Sequence, residues 1–138
     1  MSWQLYAFVS ALAAAATAIF AKLGVKDVPS NLATAVRTLV VIVFAWAIVL
    51  ATGEYKQIAR LNGRTLLFLA LSGIGTGISW LAYFRALQLG PASRVAPIDK
   101  ASLAFTIILA VVILRETITW KVALGAAMIV CGALLTLA

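Results

Sequence analysis

The chain has no histidine, one cysteine and only four acidic residues in 138. Without histidine, the commonest general base and metal ligand is missing. Cys131 stands alone in an apolar run, which leaves no disulfide framework, thiol pair or zinc-type spacing. No Ser-His-Asp set, acidic metal cluster or glycine-rich phosphate loop can be assembled, so neither a catalytic residue nor a metal or cofactor is expected, and the protein is not read as an enzyme. Charge itself is scarce: 11% of residues are charged, against about 25% in an ordinary soluble domain.

Apolar residues take their place, at 64% of the chain with a mean hydropathy of +1.11. Soluble domains hold about 45–50%. An all-α integral membrane protein is therefore expected, with the lipid bilayer as its main partner. The net charge of +7 does not argue for nucleic acid. The basic residues sit at or near the ends of apolar segments, where lipid headgroups and the positive-inside rule account for them.

Five apolar segments, at residues 3–23, 31–52, 64–88, 94–114 and 119–138, predict a five-helix transmembrane bundle forming one domain over residues 1–138. The first has no basic residue before Lys22 and is longer than a signal-peptide core, so it reads as a span. Ser30 or Asn31 is expected to cap the second helix. The connection 53–63, with Glu54, Lys56, Arg60 and Asn62, reads as aqueous. Gly73 and Gly77, and likewise Gly125 and Gly132, offer packing faces, and the fifth segment is the expected dimer contact.

The fourth segment is the anomalous one. It carries Pro97 and an adjacent acid and base, Asp99 and Lys100, about a turn and a half inside its start. A charge at membrane depth costs at least a few kcal/mol. Arg37 in the second segment and Arg85 near the end of the third fall at a similar distance from the same face. Three bases and one acid then suit an anion or the carboxylate of a zwitterion, with Pro97 opening the helix start by freeing the carbonyl of Ser93. The competing reading is structural: Lys100 and Arg85 reach back to the interface, and Asp99 pairs with Arg85 or Arg37. Snorkelling is favoured for Lys100 and a cavity role for Arg37 and Asp99. Ser102 and Thr106 continue the Asp99 face, while Ser72, Thr76 and Ser79 form a similar stripe on the third segment. These stripes line a polar path unless the hydroxyls bond their own backbones. Trp80 and Tyr83 are placed to stack on a ligand or to pack.

Residues 80–135, WLAYFRALQLGPASRVAPIDKASLAFTIILAVVILRETITWKVALGAAMIVCGALL, resemble the EamA-type repeat of the drug/metabolite transporter superfamily. The similar features are an aromatic, alanine-rich end to helix three, a glycine turn into a proline-bearing helix four, then a glutamate, a threonine and a glycine-spaced last helix. In the family the glutamate commonly follows a glycine; here Arg115 precedes Glu116. Larger members carry two such repeats in opposite orientations, and this chain resembles the single-repeat, five-helix type. The resemblance implies transport of a small-molecule solute. The proton–drug exchange of the four-helix multidrug pumps is not implied, because helix one has no acid.

With five alternating helices, Lys56, Arg60, Arg64, Arg115 and Lys121 fall on one face and Lys22, Lys26, Arg37, Arg85, Arg94 and Lys100 on the other. So even a division specifies orientation weakly. An antiparallel homodimer, restoring the inverted repeat, is the expected assembly; the alternative is one orientation with a parallel or hetero-partner. The expected function is alternating-access secondary transport of an anionic or zwitterionic metabolite in a bacterial or archaeal plasma membrane. A non-transporting accessory subunit and a flippase for a lipid-linked substrate are the rival expectations.

Overall fold

The computed structural model describes residues 2–136. Helix α1 spans Trp3–Gly24, α2 Ser30–Thr52, α3 Gly63–Leu89, α4 Ala92–Asp99, α5 Ser102–Leu114 and α6 Trp120–Leu135. A 3₁₀ helix, Glu54–Arg60, occupies the polar connection after α2. Four stretches are long and apolar enough to cross a bilayer: α1, α2, α3, and Ala92–Leu114 taken as one. Helix α6 is apolar but has 16 residues, rising roughly 24 Å. The end of the expected fifth segment, residues 137–138, lies outside the described residues.

The chain forms two compact units, the first of residues 1–22 with 89–138 and the second of residues 23–88. Only six hydrophobic residues are buried among those described: Ala18, Ala21, Val25, Phe84, Leu87 and Ala133. Side chains as large as Trp3, Phe44, Phe68 and Phe105 are exposed. In water such a surface would aggregate; in a bilayer the acyl chains solvate it. The protein is an integral, multi-pass membrane protein.

In the first unit α6 packs along α4 and α5, and Lys22 Nζ donates to the Gly90 carbonyl at 2.8 Å. The fourth apolar segment is two helices instead of the single one expected over 94–114. Lys100 and Ala101 form a turn between them. Across this turn the N–H groups of Lys100, Ala101, Leu103 and Ala104 reach three residues back, to Pro97, Ile98, Lys100 and Ala101, at 2.9–3.1 Å. Such bonds tighten the chain locally into 3₁₀ geometry. Pro97 brings no N–H to the ladder, but the start of α4 is a regular turn, with Arg94 and Val95 both donating to the Pro91 carbonyl. The interruption lies three residues beyond the proline, at the charged pair, and not at the helix start as expected.

In the second unit Pro29 occupies the cap position of α2, and Ser30 is its buried first residue with no side-chain cap bond. Asn62 does cap α3, its Oδ1 accepting the Thr65 N–H at 2.8 Å. Gly53 ends α2 at φ +73, its N–H turned back to the carbonyls of Leu50 and Val49. At the end of α5 the same left-handed conformation falls on Arg115, φ +55, the position where the resembling family commonly has glycine. A residue with a Cβ pays about 1–2 kcal/mol there, partly offset because glycine loses more chain entropy on folding. Arg115→Gly is expected to stabilise the protein by about 0.5–1 kcal/mol and Arg115→Ala to give no gain, read as unfolding midpoints in detergent.

Candidate functional site

The most developed polar feature of the second unit is built on Arg37. Arg37 stands seven residues beyond Ser30 in α2, roughly 10 Å of rise into an apolar helix. Its guanidinium carbon lies 4.0 Å from the centroid of the Trp80 ring and 5.6 Å from that of Phe84. Trp80 and Phe84 are one helical turn apart on α3, so both rings present themselves to the same side chain. Phe84 is buried, while Arg37 and Trp80 are half-buried. Tyr83, also half-buried, lies within electrostatic reach of the same guanidinium. A cation over an aromatic face gains about 0.5–2 kcal/mol, the more where water is excluded. That lowers the cost of an embedded charge without neutralising it: among the described residues Arg37 makes no ion pair and donates no hydrogen bond.

Thr38 and Leu81, the chain neighbours of Arg37 and Trp80, line an open groove of about 410 Å³ on α2 and α3 together with Asn31, Thr34, Ala35, Leu39, Ile42 and Gly77. The Thr34 hydroxyl donates to the Ser30 carbonyl at 2.9 Å, and Thr38 to the Thr34 carbonyl at 2.8 Å. Both hydroxyl protons are thus committed, and the groove wall keeps only acceptor lone pairs at these positions.

Arg85 has a different surrounding. Its Nη1 donates to Gln88 Oε1 at 2.9 Å. Gln88 Nε2 donates to the carbonyls of Val28 at 2.7 Å and Val25 at 3.2 Å. One amide therefore joins the end of α3 to the turn ahead of α2, with every polar atom engaged. Gln88 was not among the residues singled out from sequence. Its signal was available: an amide in the last turn of an apolar helix, facing a short connection whose carbonyls lack helical partners. Arg85, Gln88, Pro29, Ser30 and Asn31 border a second open groove of about 470 Å³.

In the first unit Asp99 Oδ2 meets Lys100 Nζ at 3.3 Å, with the two side chains 38% and 60% exposed. A pair between exposed neighbours contributes little. Thr106 donates to the Ser102 carbonyl and Thr76 to that of Ser72, both at 3.0 Å, so both stripes use their threonine protons on their own backbones. Ser79 is exposed on α3. Of the residues expected to act together, Arg37, Trp80 and Tyr83 are gathered in the second unit, which also holds Arg85 and Ser79. Asp99, Ser102 and Thr106 belong to the first. No group of three or more potential metal ligands occurs among the described residues.

Apolar helices of bilayer length and exposed greasy surfaces define a helical membrane protein. The whole chain, residues 1–138, matches the model of the EamA-like transporter family, and it belongs to that family of membrane transporters. It is 52% identical over 134 residues to an uncharacterized transporter in the cobO 3' region of a Sinorhizobium species, covering 97% of this chain and 95% of that one. It is 29% identical over 101 residues to an uncharacterized protein of Methanocaldococcus jannaschii, covering 67% of this chain and 74% of the relative. No solved structure matches.

Proposed function

We propose that this protein is a secondary transporter that moves a small anionic or zwitterionic metabolite across a bacterial or archaeal plasma membrane by alternating access, as a homodimer. The observation carrying this reading is Arg37: a permanent cation held in an apolar helix by aromatic faces alone, in a chain of a transporter family. An embedded base without an acid is costly unless a ligand supplies the opposite charge for part of the cycle. Asp99 is assigned to substrate or coupling-ion binding, with Ser102 and Thr106 on the same helical face. The interrupted segment Ala92–Leu114 is the kind of discontinuous helix on which transporters build such sites. A thermal-shift screen of the purified protein against metabolites, followed by proteoliposome uptake of each stabilising solute, tests the reading. Saturable, protein-dependent uptake is expected for at least one; binding without any uptake speaks for an accessory subunit.

We read the chain as a single repeat of the five-helix type, and an inverted pair needs two such repeats. The near-equal split of Lys and Arg between the faces supports insertion in both orientations and an antiparallel dimer. C-terminal fusions to one reporter active only inside and one active only outside are expected both to give signal. Signal from a single side would leave a parallel assembly.

A further inference from the structure

We propose that the Arg37–Trp80 stack is the carboxylate end of a binding site for a monocarboxylate with an apolar body, and that this body lies in the α2–α3 groove, with Gly77 setting the room available. The ligand's transport rests on the reading above; its binding does not.

The stack fixes what Arg37 has left to offer. The guanidinium carbon lies 4.0 Å from the centroid of the Trp80 ring, and what the group still offers a ligand is its planar fork of N–H donors. No described residue accepts from that fork. Two parallel N–H groups match two coplanar oxygens on one carbon, the geometry of a carboxylate. Charge selects further. Arg85 turns its Nη1 to Gln88 at the end of α3, and the Arg37 guanidinium carries one positive charge. It neutralises a monoanion; a phosphate dianion would keep one charge uncompensated in a low-dielectric wall. An ammonium ligand would instead compete with Arg37 for the aromatic face and meet like charge.

The groove selects the body. Its volume of about 410 Å³ falls within the range of small-molecule pockets, ~300–1,000 Å³. Ala35, Leu39, Ile42 and Leu81 line it, and the protons of Thr34 and Thr38 are spent on backbone carbonyls. A polyhydroxylated body would find few donors there, whereas an alkyl or aryl chain meets a wall of matching apolar chemistry. Gly77 completes the wall. A Cβ placed on it would meet nothing within 4 Å, so the space it leaves is groove, and glycine in mid-helix is not demanded by close packing of another helix within the chain. A larger residue at this position shortens the groove.

The test uses the detergent-purified full chain and equilibrium dialysis of radiolabelled hexanoate. Hexanoate is expected to bind saturably, with butanoate competing and hexanol and hexylamine not competing. Arg37→Lys keeps the charge and loses the fork, and is expected to weaken hexanoate at least tenfold. Gly77→Leu is expected to weaken hexanoate at least tenfold while leaving butanoate binding within twofold. The second variant keeps the proposal testable should the first fail to fold, which its thermal midpoint reports. Absence of saturable hexanoate binding, equal binding by Arg37→Lys, or displacement by hexylamine as effective as by butanoate would overturn the assignment. Arg37-dependent binding of hexanoate without uptake would retain the site and remove transport of this ligand. Uptake of another solute by a protein that does not bind hexanoate would do the reverse.

Discussion

Gln88→Leu is expected to lower the unfolding free energy of the detergent-solubilised protein by about 2–4 kcal/mol. The side chain removed satisfies three groups at once: the carbonyls of Val28 and Val25, and Arg85 Nη1. Val25 is buried at 1% exposure, and Val28 and Gln88 are half-buried, so water replaces these bonds only in part. Each acceptor left without a partner costs about 1–3 kcal/mol when fully enclosed, and partial access of water trims the sum. Gln88→Glu separates the contributions. Its carboxylate suits Arg85 but offers nothing to two carbonyl oxygens and repels them. It is therefore expected to destabilise nearly as much as leucine. Urea or SDS unfolding midpoints of the three proteins check this; a glutamate variant as stable as the wild type would show that Gln88 matters only through Arg85.

Helix placement was largely legible from the residues, because bilayer-length apolar runs bounded by Gly-Pro and charged turns leave few alternatives. The polar connection after α2 was legible for the same reason, though not its 3₁₀ form. The division of the fourth segment was legible only in its cause. Pro97 and the Asp99–Lys100 pair announce a weakened helix, but the position of the turn depends on how the carbonyls beyond the proline find new donors. Caps followed tertiary constraint more than propensity: Ser30 has the chemistry of a cap yet is buried as the first residue of α2.

Of the site, Arg37 was legible as a base too deep in an apolar helix to be incidental. Its partner was not. The sequence leaves Trp80 either to stack on a ligand or to pack, and the structure gives its ring to Arg37. Phe84 drew no notice because a phenylalanine in an apolar helix carries no signal until a cation is seen near it. Gln88 was missed because the value of an amide depends on which carbonyls the fold brings to it. Arg115 was legible as a departure from a glycine, and its positive φ supplies the physical reason for that preference.

Arg37→Gln is expected to have the largest effect on function. Glutamine is of similar polarity but lacks both the charge and the planar fork, so a bound anion would keep an unpaired charge inside the membrane. Truncating one partner of an enclosed, hydrogen-bonded charge pair costs about 2–5 kcal/mol, on the order of thirtyfold or more in affinity. Trp80 and Phe84 would then pack on a neutral side chain, so the fold is expected to survive and the defect to be one of solute handling. The decisive measurement is uptake, by proteoliposomes holding wild-type or Arg37→Gln protein, of a solute that stabilises the wild type. Saturable uptake by the wild type, lost in a variant that remains folded, is the expected result; equal uptake by both would contradict the placement of the solute at Arg37.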